Sequence, residues 1–210
     1  MILLDARGLA AAYDGRTVFA GLDLQLEPGA YALQGRNGSG KSTLLRALAG
    51  AHRPASGTVS IAGHDLQREP LAARRALSYV PDESPVYPFM SGAEFLHFVA
   101  AAKSTEPDET ASALIDTLGL APYLHNRFDA LSLGTQKKLL LAAGWIGAPQ
   151  VLLLDEPSNG LDTGARDLLA ARIAADSTDK AILFATHDNE FIARTGADTL
   201  SFEELSGEPA

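Results

Sequence analysis

The chain has 210 residues, enough for one substantial core and too few for two large ones. Apolar types make up 46% and charged types 20%, close to ordinary globular usage, so disorder is not the default reading, and the net charge of −9 argues against nucleic acid as a partner, because such binding draws on Lys and Arg at phosphates. There is no cysteine, so disulfides, thiolate metal sites and thiol catalysis are excluded as well.

In chain order, residues 2–10, 17–26 and 30–34 read as strands, with Pro28-Gly29 as the turn before the third. A helix is predicted over residues 41–51, then strands at 58–61, after a break at Gly57, and at 77–80, stopped by Pro81. From Ser91 to about Gly119 the pattern turns helical. Ser91 with Glu94 forms a capping box, and Phe95, Leu96, Phe98 and Val99 supply an apolar face. Pro107 suits the first turn of a second helix, with Ala111, Leu114, Ile115 and Leu118 on its apolar side, and a third helix starts near Gly134. Buried strands return at 151–154 and 181–185, separated by a helix over 163–175. The expectation is an α/β fold: one domain over residues 1–210, with a helical insert at about 88–148. The most apolar stretch, residues 139–154, holds Pro149 and Gln150 and falls short of the roughly 20 residues a spanning helix needs. The chain is therefore not expected to cross a membrane by itself. Nor does Met1-Ile2-Leu3-Leu4-Asp5 develop the apolar core of a signal peptide before meeting a charge.

Chemistry is concentrated in Gly35-Arg36-Asn37-Gly38-Ser39-Gly40-Lys41-Ser42, a complete G-x-x-x-x-G-K-[ST] pattern placed between a predicted strand and a predicted helix. Glycines let the backbone curl so that N–H groups face phosphate oxygens, and the helix adds its positive end. Lys41 is placed to reach the β- and γ-phosphates of ATP, and Ser42 to ligate Mg2+. Residues 151–156, Val-Leu-Leu-Leu-Asp-Glu, read as a buried strand that delivers two acids to the edge of the sheet. Asp155 suits holding Mg2+ through water, and Glu156 suits polarising the attacking water. Leu131-Ser132-Leu133-Gly134 reads as a capped helix start and carries no functional signal alone.

The order of the phosphate loop, Leu131-Ser132-Leu133-Gly134, Asp155-Glu156, Ser158-Asn159-Gly160-Leu161-Asp162 and Thr186-His187-Asp188 resembles the nucleotide-binding domain of ATP-binding-cassette (ABC) proteins. The likeness runs over nearly the whole chain. It implies a P-loop NTPase core of mixed sheet flanked by helices, with an N-terminal antiparallel β part. It also implies that Arg36, Asn37 and Thr43 line the nucleotide with the rest of the loop, and that Tyr13 stacks on adenine. Ser132 and Gly134 would contact the γ-phosphate of ATP held by a second copy, His187 would hydrogen-bond the γ-phosphate, and Asp162 would lie between the two sites. A core role for Tyr13, a buried strand-end role for His187 and a helix-capping role for Asp162 compete with these readings.

Two motifs depart from the family pattern. Asp82, followed by Glu83, stands where a metal- or water-sensing glutamine is usual, and an acid there could still reach Mg2+ through water. Leu133 and Thr135 replace the commoner glycine and glutamine of the signature. Both departures resemble the ATPase subunits of small type-2 exporters. The resemblance thus implies a Mg-dependent ATPase, dimeric around two ATP molecules, on the cytoplasmic face of a membrane and docked on separate permease subunits. The insert at about 88–148 and the Pro81–Pro88 loop flank a groove for a partner helix, with Phe89, Met90 and Phe95 as apolar candidates for lining it and core packing of the insert as their competing role. The rivals are a soluble ABC ATPase acting on nucleic acid or ribosomes, and a regulatory subunit that binds without hydrolysis. The single cassette, the absent heptads and the acidic balance disfavour the first, and the presence of Glu156 and His187 the second.

Overall fold

The computed structural model describes residues 1–13, 16–82, 88–106 and 109–207. Leu4–Tyr13 (β1), Arg16–Leu26 (β2) and Gly29–Gln34 (β3) open the chain, followed by Lys41–Leu48 (α1). Ser56–Ile61 (β4), the two-residue His64–Asp65 (β5), Pro70–Arg75 (α2) and Leu77–Val80 (β6) come next. Three helices follow: Gly92–Ala102 (α3), Glu109–Thr117 (α4) and Leu133–Gly144 (α5), with 3-10 turns at Ala121–Tyr123 and Phe128–Ala130. The chain closes with Val151–Asp155 (β7), Thr163–Asp176 (α6), Ala181–Ala185 (β8), Asn189–Thr195 (α7), Asp198–Ser201 (β9) and Phe202–Ser206 (α8).

Among the described residues these strands form two sheets: an antiparallel one in the order β2-β1-β4-β5, and a five-stranded one in the order β6-β7-β8-β3-β9. The strand pairs of the second are all parallel, as expected where helices connect the strands. β7 and β8 are buried at every position, which explains their unbroken apolar runs. The expected α/β architecture is present. One core lies between the antiparallel sheet, α1 and one face of the parallel sheet, where Leu4, Leu22, Leu44, Leu153 and Leu183 meet. The other face packs against the helices of the middle region, joining Leu96, Leu140, Leu152, Leu154 and Phe184 in one apolar cluster.

The helices between β6 and β7 therefore share a core with the sheet. Trp145, just past α5, is fully buried, and its indole N–H donates to Asp176 Oδ2 of α6 at 2.6 Å. Arg172 Nε donates to the same oxygen at 2.9 Å. Within the region, Phe95 meets Phe128 edge-to-face at 5.2 Å. The Ser91–Glu94 capping box forms as read: Ser91 Oγ accepts from Glu94 N at 3.2 Å and Glu94 Oε2 accepts from Ser91 N at 2.8 Å.

Several boundaries differ from the sequence reading. The helical stretch after Ser91 divides into two helices, α3 and α4, as read, and the predicted start of the second at Pro107 lies outside the described residues. α1 ends at Leu48 rather than residue 51, because Gly50 takes a left-handed φ of 67°, its own N–H donating to Ala47 O and those of Ala51 and His52 to Arg46 O. β4 begins at Ser56 and runs through Gly57, where its register with β1 shifts. Of the histidines outside the motifs, His97 and His125 are exposed, whereas His52 and His64 are half-buried. β5, α2, α7, β9 and α8 have no counterpart in the sequence reading. All are short, and such elements take their stability from packing more than from local propensity.

Candidate functional site

Three strands of the parallel sheet end level with one another. Leu33 of β3 and Asp155 of β7 both pair with Ala185 of β8, so Gly35, Glu156 and Thr186-His187 leave the sheet side by side. This is the carboxyl edge at which open α/β sheets bind ligands.

The loop from β3 turns into α1 through Gly38 and Gly40, at φ values of 76° and 122°. Lys41 folds back over the loop, its Nζ donating to Gly35 O at 2.8 Å and to Arg36 O at 3.0 Å. Burial weakens the proton affinity of its ammonium, against the pull of the Glu156, Glu203 and Asp155 carboxylates. Asn37 is exposed and Thr43 half-buried. Ser39 Oγ is buried and has no hydrogen-bond partner among the described residues, an orphan polar atom inside the cradle.

Ser42 Oγ, at the start of α1, donates to Asp155 Oδ1 at 3.1 Å. Asp155 is 3% exposed, and burial holds its carboxyl above the usual carboxylate range. Burial raises the Glu156 carboxyl too, with further upward pressure from Asp82 and Asp155 and a downward one from His187. Glu156 adopts φ 44°, a conformation uncommon outside glycine, pinned by its N–H donating to Ala185 O at 2.9 Å. His187 Nε2 lies 3.6 Å from Glu156 Oε1 and is about half exposed. Thr186 below it is fully buried, and its Oγ1 accepts from Asp188 N at 3.2 Å.

A hydroxyl and a carboxylate already in contact, with a second carboxylate one residue on, form an all-oxygen donor set of the kind Mg2+ takes. The glycine turns, the curled Lys41 and the orphan Ser39 hydroxyl suit the phosphates of a nucleotide. The residues present thus fit both groups.

Other predicted residues lie elsewhere. Ser132 caps α5, its Oγ accepting from Thr135 N at 3.2 Å and lying 2.8 Å from Thr135 Oγ1. Gly134 backs onto the 158–162 loop so closely that a Cβ there would sit 2.9 Å from Gly160 O. No hydrogen bond or ion pair among the described residues joins Ser132 or Gly134 to the phosphate loop. Asp162 does cap α6, accepting from Ala165 N at 2.9 Å, and it also accepts from Lys138 Nζ at 2.6 Å. Tyr13 ends β1 opposite Arg16, and its proposed stacking rests on a side chain outside the described residues, as does Glu83. Asp82, read as a metal-shell acid, has its Oδ1 3.3 Å from Lys137 Nζ.

Two residues at this edge were not singled out from the sequence. Lys137 is one. The other is Glu203 of α8, whose Oε1 accepts from Arg36 N at 2.9 Å, a bond that holds its carboxyl below the usual range. The one available sequence signal was Ser201-Phe202-Glu203-Glu204, a capping pattern in which Ser201 Oγ accepts from Glu204 N at 3.3 Å.

A family model described as ABC transporter matches residues 19–159, well over half of the chain, from β2 to the loop after Glu156. The chain belongs to the ABC transporter family. Among curated relatives, this ABC ATP-binding domain is 34% identical to the daunorubicin/doxorubicin resistance ATP-binding protein DrrA of Streptomyces peucetius, over 83% of this chain and 56% of that protein. It is 34% identical to the ABC transporter ATP-binding protein YdbJ of Bacillus subtilis, over 74% of this chain and 51% of the relative. It thus spans about half the length of these relatives. A solved ATP-binding subunit of an ABC transporter superposes with a TM-score of 0.86 at 26% identity, covering 95% of this chain and 85% of that one. A bacterial Atm1-family exporter with ATP bound shares the fold at 21% identity, with a TM-score of 0.80 over 94% of this chain and 36% of that one.

Proposed function

We propose that this ABC domain hydrolyses ATP with Mg2+ as one of two nucleotide-binding subunits, and that it drives transport through separate transmembrane subunits. The observation that carries the reading is a division of labour within the chain. Lys41, Ser42, Asp155, Glu156 and His187 gather at one sheet edge, while Ser132 and Gly134 make their contacts with Thr135 and Gly160. One copy therefore supplies the phosphate loop of one site and the signature of another. When bound, Mg2+ would supply positive charge to the phosphates, held by Ser42 and Asp155. Lys41 would bind the phosphates, Glu156 would accept the proton of the attacking water, and His187 would orient against the terminal phosphate. The drug-resistance ATP-binding protein among the relatives accords with an exporter.

A complementation experiment tests the pairing. Lys41→Ala and Ser132→Arg should each lose ATP turnover, since each breaks both sites of its own homodimer. A mixture should recover part of it, because a mixed pair holds one site with an intact loop facing an intact signature. Ser132 suits this test better than Gly134, where any Cβ strains the fold; losing the Ser132 cap costs only about 1 kcal/mol. A mixture as inactive as its components would refute the dimer.

A cavity beside the insert supports the docking reading. Beside β6 lies a cavity of about 170 Å3, lined by Tyr79, Pro81, Phe95, Val99, Lys103 and Leu140, among others. Phe95 is one of its lining residues. Phe89 and Met90 are not among its lining residues: Phe89 is 63% exposed, and Met90 O accepts from Phe128 N at 2.8 Å. No helix among the described residues is long and apolar enough to cross a membrane. Sedimentation with membranes is accordingly expected only when a transmembrane partner is co-expressed. Val99→Glu, which puts a charge into the groove, should release the protein to the supernatant while its basal ATPase persists. Membrane sedimentation without a partner would overturn this placement.

A further inference from the structure

One buried cation joins three segments that the sequence keeps far apart. Lys137 lies just inside α5, and its side chain is only 7% exposed. Its Nζ lies within hydrogen-bond distance of Asp82 Oδ1 and Asp82 O, both at 3.3 Å, Pro81 O at 3.4 Å and Asp155 O at 3.2 Å. An ammonium has three donors and tolerates burial only when they are met. Here they are met by the segment leaving β6 and by the last carbonyl of β7, the strand that carries Asp155 and Glu156.

The acid at position 82 explains the need for such a cation. With Asp155 and Glu156 it makes a third carboxylate at one sheet edge, and like charges gathered there repel one another unless a cation lies among them. Lys137 offers a counter-charge from the opposite element and fixes the direction of Asp82, whose side chain is otherwise 43% exposed. On the ATPase reading above, we propose that Lys137 and Asp82 form one positioning unit. It ties the segment after β6 to the end of β7 and sets Asp155-Glu156 relative to α5; Asp82 serves as the anchor of Lys137 and not as a ligand of the metal shell.

The test begins with a double-mutant cycle on the nucleotide-free full chain, using Asp82→Asn, Lys137→Met and the pair. Unfolding equilibrium constants should show non-additivity of at least about threefold, as for residues in one network. Independent effects would overturn the pairing whether or not the protein hydrolyses ATP. Next, Lys137→Gln should lower kcat with little change in the KM for ATP, and Asp82→Gln in the same chain should restore it, since a neutral pair removes the unpaired acid. If Lys137→Gln alone does not fold, recovery of a folded, active double variant is itself the rescue. A double variant no better than the single one would overturn the proposal. Finally, a Mg2+ titration of ATPase should respond equally to Asp82→Asn and Lys137→Gln. A raised Mg2+ requirement in Asp82→Asn alone would make Asp82 a metal-shell residue and defeat the proposal. No turnover in the wild-type chain would instead defeat the ATPase reading and leave the unfolding cycle to decide the pairing.

Discussion

Glu156→Gln should bind ATP normally, lose turnover by about 100- to 10,000-fold, and accumulate as a dimer on size exclusion with Mg-ATP. That loss is the usual worth of one positioned base. Glu156 sits within ion-pair distance of His187 and one residue beyond the Asp155 carboxylate that accepts from Ser42. Its left-handed φ and its N–H bond to Ala185 O fix where the carboxyl can point. Gln keeps the shape and the reach but cannot take a proton, so binding and chemistry separate. The substitution should also leave the nucleotide-free fold no less stable. Burial raises the Glu156 carboxyl above its ordinary 4.5, so the ionised native form is penalised once pH climbs through that raised value. Removing the charge should therefore raise the melting temperature at pH 8, with the advantage shrinking as pH falls toward 4.5. Turnover retained in Glu156→Gln would move the base elsewhere, and a lower melting temperature at pH 8 would contradict the burial account.

Lys41→Ala should weaken ATP binding by roughly 10- to 100-fold or more, the worth of one or two hydrogen bonds between charged partners. In the nucleotide-free chain Nζ is already held by Gly35 O and Arg36 O, so the ammonium is placed over the loop before any phosphate arrives. Ala removes the charge and leaves both carbonyls without that donor. Partial burial weakens the hold of Lys41 on its proton, while three nearby carboxylates strengthen it. Calorimetry resolves the effect, and an affinity within twofold of wild type would sink the phosphate-loop assignment for this lysine. Lys41→Arg should recover only part of the loss, since a planar guanidinium has no room to fold back onto Gly35 O as a compact ammonium does.

The phosphate loop, the Asp155-Glu156 strand end and the buried strands β7 and β8 were legible in the sequence because each is local. Glycines at fixed offsets dictate a turn, and unbroken apolar runs ending in acids dictate a buried parallel strand with its carboxylates at the sheet edge. The capping box at Ser91 and the α6 cap at Asp162 were legible for the same reason: donor and acceptor lie three residues apart. The C-terminal elements α7, β9 and α8 were not. Four to seven residues carry too little periodicity to be told from loop, and β9 exists because β3 offers it an open edge. Nor could spacing show that Glu203 bonds to Arg36 across 167 positions, or that Lys137 reaches Asp82 across 55. Those partners are chosen by the sheet order β6-β7-β8-β3-β9, which brings the segment after β6 beside the end of β7 and the chain's last turn beside the phosphate loop. Sequence by itself determined which groups are candidates for the chemistry; only the tertiary structure decided which charge faces which, because a buried charge must take its partner from whatever segment the packing brings within about 3 Å.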